Sequence, residues 1–236
     1  MTADECDRCR RNMLAALSHE LRNPLAGLAS SLYVLKGSQP GSPRAQRAMA
    51  IMERQVGRLS LLINSLTDAV RIDQGKVTLR LEVVDLCEVM RDAASAHEDL
   101  FTSREVKVQT QLAGRPVLVS ADEARLQEIL GELLDNAARF APPGSRVVLG
   151  VECDEAVRVA RMRVQDFGIG MKPGMCECVF RPFSRVDDSP AHSQGGLGLG
   201  LVLVKGLVEL HGGAVRAQSD GPDRGSVFTI ELPLAT

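Results

Sequence analysis

No stretch of this 236-residue chain stays apolar long enough to span a membrane, and its opening, MTADECDRCRRNM, lacks the apolar core of a secretory signal. Neither sign of charge dominates. With 28 Lys and Arg against 30 Asp and Glu, the electrostatic footprint of a nucleic-acid or anionic-membrane binder is excluded. The six cysteines form no disulfide framework: Cys6 and Cys9 make a single CxxC, and neither a second CxxC nor a His pair completes a tetrahedral metal site. Internal repeats and low-complexity tracts are also missing. These absences point to a reduced, cytoplasmic protein, and 44% hydrophobic residues can build the core of one or two domains.

What is present first is a period. Leu14, Leu17, Leu21, Leu25, Leu28, Leu32 and Leu35 recur at steps of three and four, which predicts one apolar helix face ending near Lys36. The turn GSQPGSP, Gly37 to Pro43, follows, and a second stripe runs through Met52, Val56, Leu59, Ile63, Leu66 and Val70. Two such helices make an antiparallel hairpin that cannot enclose a core alone, so the stripes predict a homodimeric four-helix bundle. About ten residues are expected before the first helix, too few for a sensor or an anchor.

Within the first helix, SHELRNPL stands out. At about 100° per residue from Leu21, the leucines lie within roughly 40° either side, whereas His19 and Asn23 project at roughly 160° and 200°, toward solvent. Glu20 adjoins the imidazole and can orient or deprotonate it, and Pro24 removes a backbone donor and is expected to loosen the helix. An exposed neutral imidazole is a competent nucleophile toward a phosphoryl group.

Beyond Val70 the pattern changes to an α+β one. Alternation from Val77 to Val83 predicts a strand, as do VKVQTQL, PVLVSAD, Val147 to Val151, Val157 to Val164 and SVFTIELPL. Asp122 reads as the N-cap of a helix carrying Leu126, Ile129, Leu130, Leu133 and Leu134, and a last helix, LGLVLVKGLVELHGG, stops at Gly212 and Gly213. The boundary between hairpin and α+β region is placed at residues 1–76 and 77–236.

Four groups of residues in the second region suggest chemistry. Glu132, Asn136 and Arg139, four and three apart, put an acid, a neutral oxygen ligand and a cation on one helix face. Such oxygens suit magnesium, which takes its remaining ligands from water and nucleotide phosphates. DFGIGM, Asp166 to Met171, follows a strand with an acidic acceptor and two glycines that admit a planar base close to the backbone. GGLGLGL, Gly195 to Leu201, opens a helix whose free amides can hold phosphates. VFRPFSRV, with Phe180 and Phe183, reads alone as core packing.

In this order and spacing, His19 to Leu25 resembles the phospho-acceptor box of sensor histidine kinases, and the later segments resemble that family's N, G1, F and G2 boxes. The resemblance implies a dimerisation and phosphotransfer hairpin followed by an α/β-sandwich ATP-binding domain of the Bergerat or GHKL type, shared with gyrase, Hsp90 and MutL. It implies that His19 attacks the γ-phosphate of Mg-ATP and passes the phosphoryl group to an aspartate of a response regulator receiver domain. Glu20 would act as base, and Asn23 would position water for dephosphorylating the regulator. Asn136 would hold Mg2+, Arg139 would meet phosphates, and Asp166 would accept from the adenine amine. Gly168, Gly170, Gly196, Leu197, Gly198, Leu199 and Gly200 would shape the pocket and its lid, Ser184 to Gln194, rooted by Phe180 and Phe183. Either the chain is the catalytic core of a longer kinase, or an upstream sensor protein supplies its input.

Three positions depart from the family's pattern. Glu132 stands where most histidine kinases have Asn and where ATP-hydrolysing relatives have a general base, so it could activate water or serve the metal. Leu197 replaces a frequent hydroxyl residue, and Cys176 and Cys178 replace charged residues before the F box. A gyrase/Hsp90-like ATPase using Glu132 and a dimeric signalling scaffold are the competing readings; the first leaves the His19 box unexplained, the second the intact pocket residues.

Overall fold

The structure, a computed structural model, describes residues 3–182 and 198–235; the side chains of residues 3–17, of His19 and Glu20, and of several α2 positions lie outside the described set. Helix α1 (Ala3–Lys36) and helix α2 (Pro43–Asp73) form the expected hairpin. The first helix starts earlier than the leucine stripe implied, at Ala3, so the segment expected to precede it is itself helical. Pro24 does not end it: the helix runs through, with the proline ring buried. One lost donor is a small part of a 34-residue helix once its ring gains packing. At the turn, Pro43 occupies the first helical position and Ser42 caps α2, its hydroxyl accepting from the Ala45 amide at 3.2 Å.

The leucine stripe divides. Leu21, Leu28 and Leu35 are half-buried, whereas Leu25 and Leu32 are 54% and 42% exposed, as are Val56 and Ile63 on α2 at 52% and 56%. The intrachain contact of the hairpin therefore uses only part of its apolar surface.

The strand expected over 77–83 is shorter. Residues 77–81 run as a connector, with the Arg80 amide donating to Asp122 Oδ2 at 3.0 Å, and strand β1 (Glu82–Asp85) pairs only with β3 (Leu118–Ala121). Helices α3 (Leu86–Ala96) and α4 (Glu98–Ser103) follow, neither anticipated. Then come β2 (Lys107–Gln111), β3, α5 (Glu123–Phe140), β4 (Arg146–Asp154), β5 (Val159–Asp166), α6 (Gly200–Leu210), β6 (Ala214–Gln218) and β7 (Ser226–Pro233). The main sheet has the order β2-β4-β5-β7-β6, with β2 and β4 parallel and every other pair antiparallel.

Alternation along the strands sends Leu149, Val151, Met162, Val164, Ile230 and Leu232 to one face, where they are almost fully buried. Leu126, Ile129, Leu130, Leu133 and Leu134 of α5 and Leu203, Val204 and Leu207 of α6 join that core. The layout is a two-layer α/β sandwich beside a helical hairpin. Asp122 caps α5, and its backbone amide donates to His211 Nε2 at 3.0 Å, while His211 Nδ1 lies 2.8 Å from the Leu207 carbonyl. Nε2 must therefore be the acceptor and Nδ1 the donor, which ties the start of α5 to the end of α6 through a neutral imidazole.

The two halves meet where α2 packs on α6. A Cβ at Gly206 of α6 would lie 2.6 Å from Ile72 Cγ2 of α2. Glycine there lets the helices approach without displacing the Ile72 side chain.

Candidate functional site

Asp166 ends β5 on the buried face of the sheet, at 5% exposure. Burial pushes its carboxyl up, while the amides of Gly168 and Ser226 pull in the opposite direction; the net effect is a raised pKa. The Gly168 amide donates to Asp166 Oδ1 at 2.9 Å, which fixes the carboxyl's orientation. The loop that follows lies hard against its neighbours: a Cβ at Gly168 would fall 2.2 Å from the Phe140 carbonyl oxygen at the end of α5. Gly170, at φ +62°, leaves only 2.1 Å between a hypothetical Cβ and the Gly221 carbonyl. Both glycines are thus required by space, and Gly170 by conformation as well.

The support for this loop comes from a segment that sequence reasoning passed over, SDGPDRGS at 219–226. The Met171 amide donates to Ser219 Oγ at 2.9 Å, and Ser219 Oγ donates to the Gly225 carbonyl at 2.7 Å. The Gly225 amide reaches the Gly168 carbonyl at 3.0 Å, and the Asp223 amide the Ile169 carbonyl at 2.7 Å. Its richness in Gly, Asp and Pro announces a turn, but no local signal says which loop the turn braces.

On α5, Glu132 and Asn136 are half-buried one turn apart, and Arg139 is exposed with its guanidinium 6.0 Å from the Phe140 ring centroid. Glu132 reaches across to α6: a Cβ on Gly200 would sit 2.0 Å from Glu132 Oε2. Burial pushes the Glu132 carboxyl up, Asp135 and Glu128 add to the rise, and Arg139 opposes it. Gly198 adopts φ +65°, Leu199 is buried at 3% exposure, and among the described residues no side chain caps the first turn of α6. A helix start that faces a carboxylate on the neighbouring helix, with the Asn136 carboxamide one turn further along that helix, suits an anion held together with a hard cation. Glu132 and Asn136 offer oxygen donors of the kind magnesium takes and are the residues that would hold it, with water and phosphate completing the shell.

The structure thus brings together Glu132 with Gly200, and Asp166 with Gly168. Gly196, Leu197, Phe183 and the lid segment lie outside the described residues. Phe180 is half-buried against the core, its ring edge-on to Phe228 at 6.3 Å between centroids, in keeping with its reading as a packing residue. His19, Glu20 and Asn23 lie on α1, in the other half of the molecule, and Asn23 is exposed as expected. Cys87 is buried, Cys153, Cys176 and Cys178 are half-buried, and all four are free thiols.

Comparisons with known proteins match both halves. Residues 9–75 match the family described as His Kinase A (phospho-acceptor) domain, and residues 121–236 match the Histidine kinase-, DNA gyrase B-, and HSP90-like ATPase family. Sensor protein GacS of Pseudomonas syringae pv. syringae is 32% identical over 98% of this chain and 26% of its own length. The signal transduction histidine-protein kinase BaeS of Escherichia coli K12 is 30% identical over 99% of this chain and 49% of its own. The chain thus spans between a quarter and a half of these relatives. Full-length ShkA, solved in complex with AMPPNP, superposes with a TM-score of 0.73 at 28% identity, over 95% of this chain and 46% of that one. The Acinetobacter baumannii histidine kinase AdeS shares the fold, with a TM-score of 0.72 at 23% identity over 92% of this chain and 98% of that one.

Proposed function

This chain belongs to the sensor histidine kinases, its second half being their ATP-binding domain, and on that footing we propose that it phosphorylates itself on His19 and hands the phosphoryl group to an aspartate of a response regulator. The observation that carries the reading is Asp166, a buried carboxylate held in orientation by Gly168 and aimed from a strand end, in a chain that also carries the His19 box.

In this reading Asp166 accepts from the adenine amine, and Gly168 and Gly170 let the base lie against the backbone. Arg139 and the α6 start, Gly198 to Gly200, receive the phosphates, a task in which Gly196 and Leu197 share. Asn136 and Glu132 hold Mg2+, which when bound neutralises charge on the phosphates. A His19 ring nitrogen forms a bond to the γ-phosphorus as the bond to the bridging oxygen breaks, ADP leaves, and Glu20 takes the ring proton. Asn23 positions water to attack the phosphorus of the regulator's aspartyl phosphate, releasing inorganic phosphate and the free carboxylate.

The exposed Leu25, Leu32, Val56 and Ile63 support a homodimeric four-helix bundle, since a second hairpin would cover them. No helix among the described residues is long and apolar enough to cross a membrane. We place the working site in the cytoplasm, where ATP and a response regulator are at hand, with a sensor as the source of input.

The test is incubation with γ-labelled ATP and magnesium. Acid-labile, alkali-stable label that disappears in His19→Gln and Asn136→Ala is the expected outcome; label that survives His19→Gln overturns the assignment. A second activity has its own support in Glu132, whose raised pKa and position against Gly200 suit a general base for ATP hydrolysis. Phosphate release without protein labelling would make that the main reaction.

A further inference from the structure

We propose that the solvent-facing side of the main sheet carries a second binding site, for a small organic anion bearing a phosphoryl or carboxylate group. A cavity of about 360 Å3 opens at the corner where β2, β4 and the loop after β5 meet, lined by Lys107, Gln109, Gly144, Ser145, Arg146 and Phe167. None of these side chains is assigned to the nucleotide pocket, although Phe167 lies in sequence between Asp166 and Gly168, and the site does not depend on that pocket's assignment.

The sign of the ligand follows from the lining. The parallel register sets Lys107 opposite Arg146, and residues so paired point to the same face. Like charges placed opposite one another are unfavourable unless an anion lies between them. Neither side chain forms an ion pair among the described residues, and no acidic residue lines the cavity. A ligand with negative charge turns this repulsion into attraction.

Its chemistry follows from the donors. The Arg146 guanidinium lies over the Phe167 ring, 4.3 Å from the centroid. Stacking holds the guanidinium plane and leaves its N–H edges available for a bidentate grip on an oxyanion. Ser145 Oγ is buried and has no hydrogen-bond partner among the described residues. Such a hydroxyl is unfavourable as it stands, and a χ1 rotation that turns it toward the cavity would give it a partner in a bound anion. The Gln109 carboxamide, on the same face of β2 as Lys107, can add a further donor.

The site is also rigid before any ligand arrives. The Gly144 amide donates to the Glu105 carbonyl at 2.8 Å and the Lys107 amide to the Ser145 carbonyl at 3.0 Å, so the two turns that form its floor hold each other. Gly144 takes φ +79°, which the turn requires. Preformed donors spare the ligand the cost of ordering them. The volume lies at the small end of ligand pockets, which suits a metabolite-sized anion better than a protein segment.

Isothermal titration of the full chain with glucose 6-phosphate and with citrate tests the proposal and separates the two anion types. At least one probe is expected to bind at millimolar concentration or tighter, with Arg146→Ala and Lys107→Ala each weakening it roughly tenfold or more. Ser145→Ala is expected to weaken it less, and Asn136→Ala, in the nucleotide pocket, not at all. Both cationic side chains are exposed, so their removal leaves the fold intact, which a melting curve verifies. Binding of neither probe, binding that survives both cation removals, or binding lost in Asn136→Ala overturns the proposal.

Discussion

Replacing Asp166 by asparagine separates what this carboxylate does for a nucleotide from what it costs the fold. Asparagine is nearly isosteric and keeps an oxygen for the Gly168 amide, now 2.9 Å from Oδ1, so the loop geometry is retained. Toward the adenine amine, however, one acceptor is exchanged for a donor or for a weaker neutral acceptor. Losing a hydrogen bond to a charged group costs about 1.5–3 kcal/mol, a weakening of roughly 10- to 150-fold in ADP affinity. Stability moves the other way. The folded-state pKa is raised by burial, so the protonated folded form is favoured at low pH and that advantage is lost as pH rises through the folded value. Near neutral pH the unliganded wild type carries a desolvated charge that Asp166→Asn lacks, and the variant is expected to melt at or above the wild type, with the difference vanishing in acid. Isothermal titration with ADP and melting curves at two pH values read both effects. Unchanged ADP affinity would refute the adenine contact, and a variant less stable at neutral pH would refute the desolvation argument.

Other expected outcomes bear on separate parts of the structure. Gly170→Ala and Gly225→Ala place a Cβ 2.1 and 2.2 Å from the carbonyl oxygens of Gly221 and Asp166 at φ +62° and +70°. Each should lose about 3 kcal/mol or more, read by denaturant melts. Gly206→Ala should push Ile72 away from α6 and loosen the two halves, read as faster proteolysis near the end of α2, with Ile72→Ala restoring protection in the double variant. His211→Ala orphans the Asp122 amide and should cost about 1–3 kcal/mol in thermal or urea unfolding. Glu132→Gln should lower phosphate release more than it lowers label on His19, because glutamine keeps an oxygen for the metal but cannot take a proton. If Glu132 is a base, wild-type release should rise with pH beyond the ordinary carboxylate range, because its pKa is raised and only the charged form accepts a proton.

Much of the molecule was legible in the chain because its signals are local. The leucine spacing marked α1 to its end at Lys36, Asp122 marked the start of α5, and Gly212 and Gly213 marked the end of α6. The elements missed lacked such signals. Helix α3 follows directly on β1, and its N-cap, Asp85, is also the last residue of that strand, with Oδ1 accepting from both Cys87 and Val117. Strand β6 has only five residues and a half-exposed pattern. The expected strand over 77–83 failed for the opposite reason: its alternation is real, but residues 77–81 find no neighbouring strand, and pairing rather than pattern makes a strand.

By itself the sequence determined which residues could do chemistry: a histidine beside a glutamate, an acid, amide and cation on one helix face, and an aspartate followed by two glycines. Their identity and spacing are properties of the chain and need no partner to be read. Only the tertiary structure decided what each would meet. It buried Asp166 so that its carboxyl is both oriented and costly, set Glu132 against Gly200, and braced the glycine loop with Ser219 from some fifty residues further on. It also put Lys107 beside Arg146 on a face that neither residue's neighbours foretell. Burial and long-range contact set the energies of these groups, and no window of sequence contains them.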